Sequence, residues 1–269
     1  MRLRELRRDA RLTARQLAEA QGWDPSKVSK IENGRQTPSE ANLEAWAEAC
    51  GRPELAAELI ASLRTLETHY IQFRRKLRAG LAANQRAFGE MEAVASAIRN
   101  FENVFVSGLL QTPEYARYRL AESLDRSGAR DDLDEAVAAR MQRQQVLYRK
   151  GRKFHFVLTE AALRYRVCPP EVMAGQLDRL MTLSTLPNMR FGVIPFEVQY
   201  PIGPLHGFWI FDDQLVSVEN FTAALRITQP GEVADYLQVF DRLAEIALYG
   251  SPARAIVTRA LDHLAASMD

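Results

Sequence analysis

The titratable residues of this chain rarely have the spacing that metal binding or catalysis needs. The four histidines, His69, His155, His206 and His263, are scattered, and none lies three or four residues from another type of metal ligand. The sequence also lacks a glycine-rich phosphate loop and a nucleophile-elbow motif. We therefore expect no metal site and no cofactor.

Two glutamates are the best candidates for acid–base chemistry. Glu160 and Glu219 each end a predicted strand, and two carboxylates that face each other in a cleft could exchange protons with a substrate. More often a glutamate in such a place caps a helix or pairs with an arginine, here Arg164 or Arg166. We expect this structural role, and we expect that the protein is not an enzyme.

Ligand binding is indicated by an aromatic-rich stretch between residues 191 and 211. A loop with two prolines, Pro201 and Pro204, lies in its middle, where it could cover a pocket. Strand side chains that alternate into a core give the same composition, so core packing is the alternative. The candidate lining residues are Phe196, Tyr200, His206 and Trp209.

The overall composition is that of a globular protein. With 269 residues, 47% hydrophobic and 26% charged, the chain is long enough for two domains with buried cores. No apolar run approaches the roughly eighteen residues of a membrane helix, and the N-terminal segment lacks the apolar core of a secretory signal. We expect a cytoplasmic location and no membrane partner. Cys50 and Cys168 lie far apart in apolar surroundings, which predicts reduced thiols.

Charge is unevenly distributed along the chain, although its net value is only +1. Residues 1–38 contain nine Lys and Arg against five Asp and Glu, a net charge of +4, and the remainder contains 26 against 29, a net charge of −3. A small basic segment joined to a mildly acidic body fits a phosphate-binding module attached to another domain.

Cap residues mark several short helices in and after the basic segment. Thr13 and Gln16 have the spacing of a capping box. Asp24 followed by Pro25 predicts the start of a third helix, and Gly34 predicts its end. Only a few residues separate the second helix from the third, so the two must cross at a large angle. The third helix is therefore expected to project.

This segment contains a set of residue types at defined positions in its helices and turns. They are an alanine in the second helix, a glycine in the turn, the pattern Ser-x-Ile-Glu-x-Gly in the third helix and a Pro-Ser start of the fourth: Ala18, Gly22, Ser29, Ile31, Glu32, Gly34, Pro38 and Ser39. With them, residues 12–51 resemble the helix-turn-helix of the Cro/C1 (XRE) repressor family throughout.

The resemblance implies that the third helix enters the major groove of double-stranded DNA. Ser26 and Lys30 then occupy base-reading positions with Lys27 beside them, and a lysine there can donate to guanine O6 or N7. Arg7 and Glu32 match a family ion pair between the first and third helices. The residues at positions of phosphate contact are Thr13, Arg15, Gln16, Ser29, Asn33 and Arg35.

Two residues depart from the family pattern. Ala14 stands where the family often has a glutamine that anchors a phosphate, and Pro25 stands where a glutamine reads a base. Because proline has no N–H to donate, the operator sequence is left open. The alternative is a helical interaction domain in which Lys27 and Lys30 are only solvated.

The rest of the chain combines helices and strands. A helix is predicted from Pro53 to about Arg78, then a helix-and-strand pattern that occurs twice, a hairpin about Asp212 and Asp213, and two closing helices. The predicted fold is mostly α, with a five-helix helix-turn-helix domain followed by an α+β domain with a small antiparallel or mixed sheet. The predicted domains are residues 1–78, including the connecting helix, and residues 79–269.

Four segments of this body, GLLQTPEYAR, ARMQRQQVLYRKGRKFHFVLTEAALR, QLDRLMTLSTLPNMRFGVIPF and GFWIFD with VSVEN, resemble the C-terminal domain of unknown function in actinomycete regulators of the WhiJ type. The resemblance implies a transcriptional regulator of development or secondary metabolism, encoded beside a small partner protein. The rival interpretation is an antitoxin-like or anti-regulator protein-interaction module for which DNA binding is secondary.

The expected partners follow from this interpretation. One helix-turn-helix buries too little surface for tight specific binding, so we expect a homodimer on double-stranded DNA. The candidate dimer surfaces are the helix from Leu59 to Leu77 and the last two helices. A small-molecule effector in the aromatic-rich region is a further candidate partner.

Overall fold

The structure is a computed structural model that describes residues 2–60, 63, 80–127, 131–221 and 224–266. The chain forms two compact units, Met1–Gln72 and Phe73–Asp269. The predicted boundary between residues 78 and 79 lies outside the described residues, as does most of the predicted helix from Pro53 to Arg78.

The described part of the first unit is helical. Its helices are α1 (Arg2–Asp9), α2 (Ala14–Ala20), α3 (Pro25–Glu32) and α4 (Glu40–Ala49). A 3-10 turn at Pro53–Leu55 then leads into helical residues 56–60. The predicted fifth helix thus begins within the described residues, and most of its further course lies outside them.

The core of the first unit surrounds Trp46. This side chain is fully buried, its Nε1 donates to the carbonyl oxygen of Leu3 at 3.1 Å, and its ring centroid lies 6.0 Å from that of Trp23. The helices thereby share one core, since each contributes a buried face. The other buried members of this core are Leu6, Leu17, Ala18, Val28, Ile31, Leu43, Ala47, Cys50 and Leu59.

The second unit contains a sheet and several helices. The described strands are β1 (Ala97–Glu102), β2 (Lys153–Thr159), β3 (Met189–Ile194), β4 (Phe208–Phe211), β5 (Leu215–Glu219), β6 (Ala224–Ile227) and β7 (Leu248–Tyr249). The described helices are α5 (Leu81–Val94), α6 (Pro113–Ser127), α7 (Leu133–Arg143), α8 (Glu160–Arg164), α9 (Pro170–Leu183), α10 (Pro230–Glu245) and α11 (Gly250–Ala265). Short 3-10 segments occupy Gly108–Leu110 and Gln144–Tyr148.

The sheet is mixed, with the strand order β6-β5-β4-β1-β2-β3-β7. β1, β2 and β3 are parallel neighbours, and the remaining pairs are antiparallel. The helices α6 to α9 supply the crossovers that parallel strands require. The predicted combination of helices with a mixed sheet is confirmed, but the prediction of a small sheet is wrong, because seven strands pair within the described residues.

Three strands, β1, β6 and β7, account for the larger sheet. β1 contains Arg99 and the fully buried Asn100, so it lacks the apolar pattern of a central strand. Its position is fixed by distant groups, since the carboxylate of Asp212 accepts a hydrogen bond from the Ala97 amide at 2.7 Å. β6 is an edge strand of four residues and β7 has only two, which is too short for a sequence pattern to indicate.

The predicted hairpin about Asp212 and Asp213 joins β4 to β5. Both aspartates have positive φ, 49° and 56°, as a type I′ turn requires at its two central positions. The sheet separates two hydrophobic clusters, because successive side chains of a strand point to opposite faces. Phe156 and Leu158 of β2 belong to one cluster and Val157 to the other.

Both cysteines are free thiols. Cys50 is buried in the core of the first unit, and Cys168 is half-buried in the second. Burial raises the pKa of both thiols, to about 11 for Cys168. Neither is activated toward nucleophilic chemistry, which requires a depressed thiol pKa.

Candidate nucleic-acid interface

A turn of four residues, Gln21 to Asp24, joins α2 to α3. Gly22 has a φ of +63°, a left-handed conformation that glycine adopts without steric penalty. The Trp23 amide donates to the carbonyl of Ala18 at 2.8 Å and the Gly22 amide to that of Glu19 at 3.3 Å. This pair of hydrogen bonds is a Schellman motif, and it fixes the direction in which the chain leaves α2.

The ends of α3 are set by the residues that the sequence marks. The Asp24 carboxylate accepts a hydrogen bond from the Ser26 amide at 2.8 Å, and Pro25 occupies the first helical position. Hydrogen bonds from the side chain and the amide of Ser26 lower the pKa of Asp24. At the other end Gly34 has a φ of +69°, and the Arg35 amide closes the helix on the carbonyl of Lys30 at 2.8 Å.

The two sides of α3 differ in burial. Val28 and Ile31 are 0% and 6% exposed and hold the inner side of the helix against the core. On the outer side, residues three and four positions apart share one face. We call this exposed set the α3 stripe, which consists of Ser26, Ser29, Lys30 and Asn33.

Lys27 does not belong to the α3 stripe. Its ammonium lies 4.2 Å from the centroid of the Trp23 ring, and its side chain is half-buried. This cation–π contact places Lys27 on the flank of α3, above the turn. The structure thus separates Lys27 from Ser26 and Lys30, with which the sequence groups it as a candidate base reader.

The predicted partners Arg7 and Glu32 are in contact. Arg7 Nε donates to Glu32 Oε1 at 2.6 Å and Arg7 Nη2 to Oε2 at 3.0 Å, while Nη1 donates to the carbonyl of Leu12 at 2.6 Å. The Arg7 and Glu32 side chains are only 10% and 4% exposed. The pair therefore ties the end of α3 to α1 through a bidentate contact away from solvent.

Arg4 is a further partner of Glu32, and it is not among the residues predicted from the sequence. Its Nε donates to Glu32 Oε2 at 3.0 Å and its Nη2 to Asn33 Oδ1 at 2.6 Å. Burial raises the pKa of Glu32, but the hydrogen bonds from Arg7 and Arg4 outweigh it, and the net shift is downward. The spacing of Arg4, one turn before Arg7 on the same face of α1, is the signal that would have identified it.

The candidate phosphate contacts near the start of α2 already have local partners. Thr13 and Gln16 form the predicted capping box, with the Gln16 amide donating to Thr13 Oγ1 at 3.1 Å and the Thr13 amide donating to Gln16 Oε1 at 2.8 Å. Arg15 pairs with Glu19 at 2.8 Å, one turn along the exposed side of α2. Thr13, Arg15 and Gln16 lie on the surface at the N-terminal end of α2.

The remaining candidate phosphate contacts lie around the end of α3. Asn33 Nδ2 donates to Ser29 Oγ at 3.2 Å, and Asn33 Oδ1 accepts from Arg4. Arg35 follows the helix and is exposed. Arg4 therefore adds a positive charge to the end of the α3 stripe.

The four candidate pocket residues of the second unit are not brought together. His206 and Trp209 line a cavity of about 600 Å³, but Phe196 and Tyr200 are not among its lining residues. Phe196 is 56% exposed, and Tyr200 packs against the hydrophobic cluster that contains Phe240 of α10. The proximity of these four residues in sequence therefore does not define one site.

The two glutamates considered for catalysis are separated as well. Glu160 Oε1 accepts from Arg164 Nε at 2.9 Å and Nη2 at 2.7 Å, and Glu160 Oε2 accepts from the Phe196 amide at 3.2 Å. Glu219 lines the 600 Å³ cavity, which Glu160 does not reach. Pairing with Arg164 is the structural role that the sequence favours for Glu160.

The described residues contain neither a metal-binding cluster nor a membrane-spanning helix. Within them, no group of three His, Cys, Asp or Glu side chains is arranged to hold a metal ion. Over the same ranges, no helix is both long enough and apolar enough to cross a membrane.

Comparison with known proteins agrees with the predicted architecture. Residues 1–59 match the family described as a helix-turn-helix domain, which indicates DNA binding and regulation. No curated protein and no solved structure matches the chain. Residues 85–259 match the family described as a domain of unknown function (DUF5753), and this match covers more than half of the sequence. With its N-terminal helix-turn-helix, the chain belongs to the DUF5753 family.

Proposed function

We propose that the protein is a sequence-specific transcriptional regulator that binds DNA as a homodimer. The observation that carries the proposal is the division of α3 into a buried side and the α3 stripe. Val28 and Ile31 anchor the helix in the core, so its polar side chains are held outward on a rigid element. A helix presented in this way fits the major groove of B-form DNA, which is about 12 Å wide.

Lys30 is the proposed main base reader. It is exposed, lies one turn after Ser26 on the same face, and can donate to guanine O6 and N7. Ser26 and Ser29 can donate or accept, so they adapt to more than one base. Pro25 has no N–H, and the start of α3 therefore contributes through its side chains alone.

Lys27 is proposed to have a lesser role in base reading. To reach a base it would have to leave the Trp23 ring, which costs about 0.5–1 kcal/mol at a half-exposed site. From the flank of α3 its charge still attracts the DNA backbone.

Phosphate contacts are proposed on both sides of the α3 stripe. Arg35 follows α3 directly, and Arg15 can exchange Glu19 for a phosphate at small cost, because an exposed ion pair contributes only about 0.2–1 kcal/mol. The remaining proposed phosphate contacts are Thr13, Gln16, Ser29 and Asn33. Such contacts fix the register of the protein on DNA without reading the sequence.

Regulation is assigned to the second unit. We expect its last two helices, α10 and α11, to supply the dimer contact, and the helix from Leu59 to Leu77 is the other candidate. A small partner protein encoded nearby and a small-molecule effector are the proposed regulators of a cytoplasmic, actinomycete-type factor for development or secondary metabolism. No enzymatic role is proposed, since Glu160 is bonded to Arg164 and is not in the cavity of the second unit.

The test begins with selection of bound sequences from random double-stranded DNA, followed by affinity measurements on the selected site by fluorescence anisotropy. Lys30→Ala should weaken binding by about 5- to 150-fold and relax the preference at one guanine of each half-site, because a good base contact contributes about 1–3 kcal/mol. Lys27→Ala should have a smaller effect, below about fivefold. Arg35→Ala should weaken all sequences alike and reduce the salt dependence by about one phosphate contact.

Lys150→Ala serves as the matched control, because Lys150 is an exposed lysine of the second unit. It should leave both affinity and preference unchanged. The proposal is rejected if no sequence is enriched, or if Lys30→Ala binds the selected site as the unmodified protein does. Copurification of a small protein at fixed stoichiometry, without any enriched DNA, would instead support the protein-interaction module.

A further inference from the structure

The cavity of about 600 Å³ in the second unit lies among α5, α6, α7 and the ends of β1 and β5. Its volume is within the range of sites for small organic molecules, about 300–1,000 Å³. Every residue that lines it belongs to the second unit. The charged groups on its walls are the features that indicate what it binds.

Arg140 of α7 lines one wall and makes hydrogen bonds only to neutral amides. Its Nε donates to Gln85 Oε1 at 3.0 Å, and its Nη1 donates to Gln111 Oε1 at 2.7 Å. Among the described residues no carboxylate lies within ion-pair distance of this guanidinium. A charge held away from bulk solvent without a counterion is costly, so its site favours an incoming anion.

Arg143, one turn further along α7, shows what a compensated arginine looks like. Its Nε and Nη2 donate to the two carboxylate oxygens of Glu92 at 2.9 and 2.5 Å. Both side chains are buried, 7% and 1% exposed. Arg143 therefore has its own anion, whereas Arg140 faces the cavity without one. Burial, and then the nearby Arg143, lower the pKa of Arg140 to about 9, although the charges of Glu219 and Glu92 act in the opposite direction.

The cavity wall also carries carboxyl groups. Glu102 Oε1 accepts from Asn100 Nδ2 at 3.1 Å, and Glu219 lies at the end of β5 on the same cavity. Gly207 leaves room for this carboxyl group, because a Cβ there would lie 2.5 Å from Glu102 Oε2. The pKa of Glu102 is raised to about 7. Burial is the largest cause and the charge of Glu219 adds to it, while the hydrogen bond from Asn100 acts in the opposite direction. These carboxyl groups disfavour a second anionic group on a ligand.

Apolar surface also lines the cavity. The rings of Phe88 and Trp209 meet edge to face at 5.5 Å between centroids, and both line the cavity with Val106 and Leu120. A ligand in the cavity therefore meets a cationic group, an aromatic surface and carboxyl groups. Polar groups that converge beside apolar and aromatic surface can fix the orientation of a small molecule.

We infer that this cavity binds a small amphipathic organic anion, whose single anionic group contacts Arg140, whose apolar body packs on Phe88 and Trp209, and whose other end is uncharged or a hydrogen-bond donor toward Glu102. His206 and Trp209 are the two predicted pocket residues that belong to this site. The role of the ligand as an effector rests on the proposed function, but its binding does not.

The test uses two fluorescent probes that differ by one anionic group and needs no DNA. 8-Anilinonaphthalene-1-sulfonate carries a sulfonate, and N-phenyl-1-naphthylamine is the same ring system without it. At pH 8 the full-length protein should bind one sulfonate probe per chain at the cavity, with energy transfer from Trp209. Arg140→Gln should weaken the sulfonate probe at least about tenfold and change the neutral probe less than twofold. Glu102→Gln should strengthen the sulfonate probe by up to a few fold.

Arg259→Gln is the matched control, because Arg259 is an exposed arginine of α11 away from the cavity. Arg140→Lys, which keeps the charge but not the planar fork, should bind the sulfonate probe with intermediate affinity and provides a second variant if Arg140→Gln does not fold. The inference is wrong if the unmodified protein does not bind the sulfonate probe, if Arg140→Gln binds it normally, or if a folded Arg140→Gln loses both probes equally. If the protein binds this probe but binds no DNA, the inference stands and the proposed function is wrong.

Discussion

Glu32 in the first unit and Arg140 in the second are both charged groups held away from bulk solvent, and their surroundings differ. Glu32 receives a bidentate contact from Arg7 and a further hydrogen bond from Arg4. Arg140 donates hydrogen bonds only to the side-chain amide oxygens of Gln85 and Gln111. The negative charge of Glu32 is neutralised by arginines within the fold. The positive charge of Arg140 is left to be neutralised by an anion that enters the cavity.

The presence or absence of a counterion distinguishes structural from functional charged groups in this molecule. Compensated groups such as Glu32, and Glu92 beside Arg143, join helices and should be sensitive to loss of one partner. Uncompensated groups, Lys30 on the α3 stripe and Arg140 in the cavity, should be dispensable for stability and necessary for binding. Each prediction below tests one side of this distinction.

The largest expected effect comes from the two arginines of α7. Arg143→Met leaves Glu92 buried without a counterion and should lower the free energy of unfolding of the second unit by about 3–5 kcal/mol. Arg140→Met breaks no ion pair but removes the donor to Gln111 Oε1, so it should lower the free energy of unfolding by less, about 1 kcal/mol. Hydrogen exchange in α5 and α7, followed by mass spectrometry, measures both. Equal losses in the two variants would show that Arg140 is a structural residue.

In the first unit, Glu32→Gln should lower the free energy of unfolding by about 3 kcal/mol, because it leaves the Arg7 guanidinium, 10% exposed, without its anion. The measurement is urea unfolding in a Trp209→Phe background, so that Trp23 and Trp46 report on the first unit. Glu19→Gln breaks the exposed pair with Arg15 and is the control, with an expected loss below about 0.5 kcal/mol.

The same ion pair predicts a pH dependence. The folded-state pKa of Glu32 is lowered, so its stabilisation is fully present above the unfolded value of about 4.3 and is lost as pH falls through the folded value. The facing groups are Arg7, Arg4 and the thiol of Cys50, and the pKa values of Arg7 and Cys50 are both raised above their ordinary values. The difference in stability between unmodified protein and Glu32→Gln should therefore shrink from pH 5 to pH 3. A constant difference would contradict the assignment.

The smallest effects concern the helix ends that position these charges. Gly34 has a φ of +69° and Arg11 has a φ of +57° at the equivalent place after α1. Gly34→Ala should destabilise the first unit by about 1 kcal/mol, and Arg11→Gly should stabilise it by up to a similar amount, since only glycine adopts this conformation without penalty. Thermal unfolding measures both, and effects of the same sign would contradict the argument.

Local signals explain which parts of the structure are predictable from the sequence. The caps Thr13 and Asp24 act within three residues, and the turn at Asp212 and Asp213 depends on their own backbone conformation. The Arg7–Glu32 contact was accessible through the family resemblance. In each case the residue type and its neighbours contain the information.

The remaining features depend on contacts between distant segments. Glu92 lies 51 residues before its partner Arg143, and Arg140 bonds to Gln85 across 55 residues. β1 is a strand because β2 and β4 pair with it, not because of its own pattern. Lys27 is grouped with Lys30 because it lies next to the base-reading positions of the family pattern, and the contact with Trp23 is what distinguishes the two lysines.

The central claim is that α3 reads DNA through Lys30, and guanine methylation interference on the selected site tests it most directly. With the unmodified protein, methylation of N7 at one guanine of each half-site should block binding. With Lys30→Ala the interference at that guanine should disappear, while interference by phosphate ethylation persists. An unchanged guanine pattern in Lys30→Ala would contradict the claim.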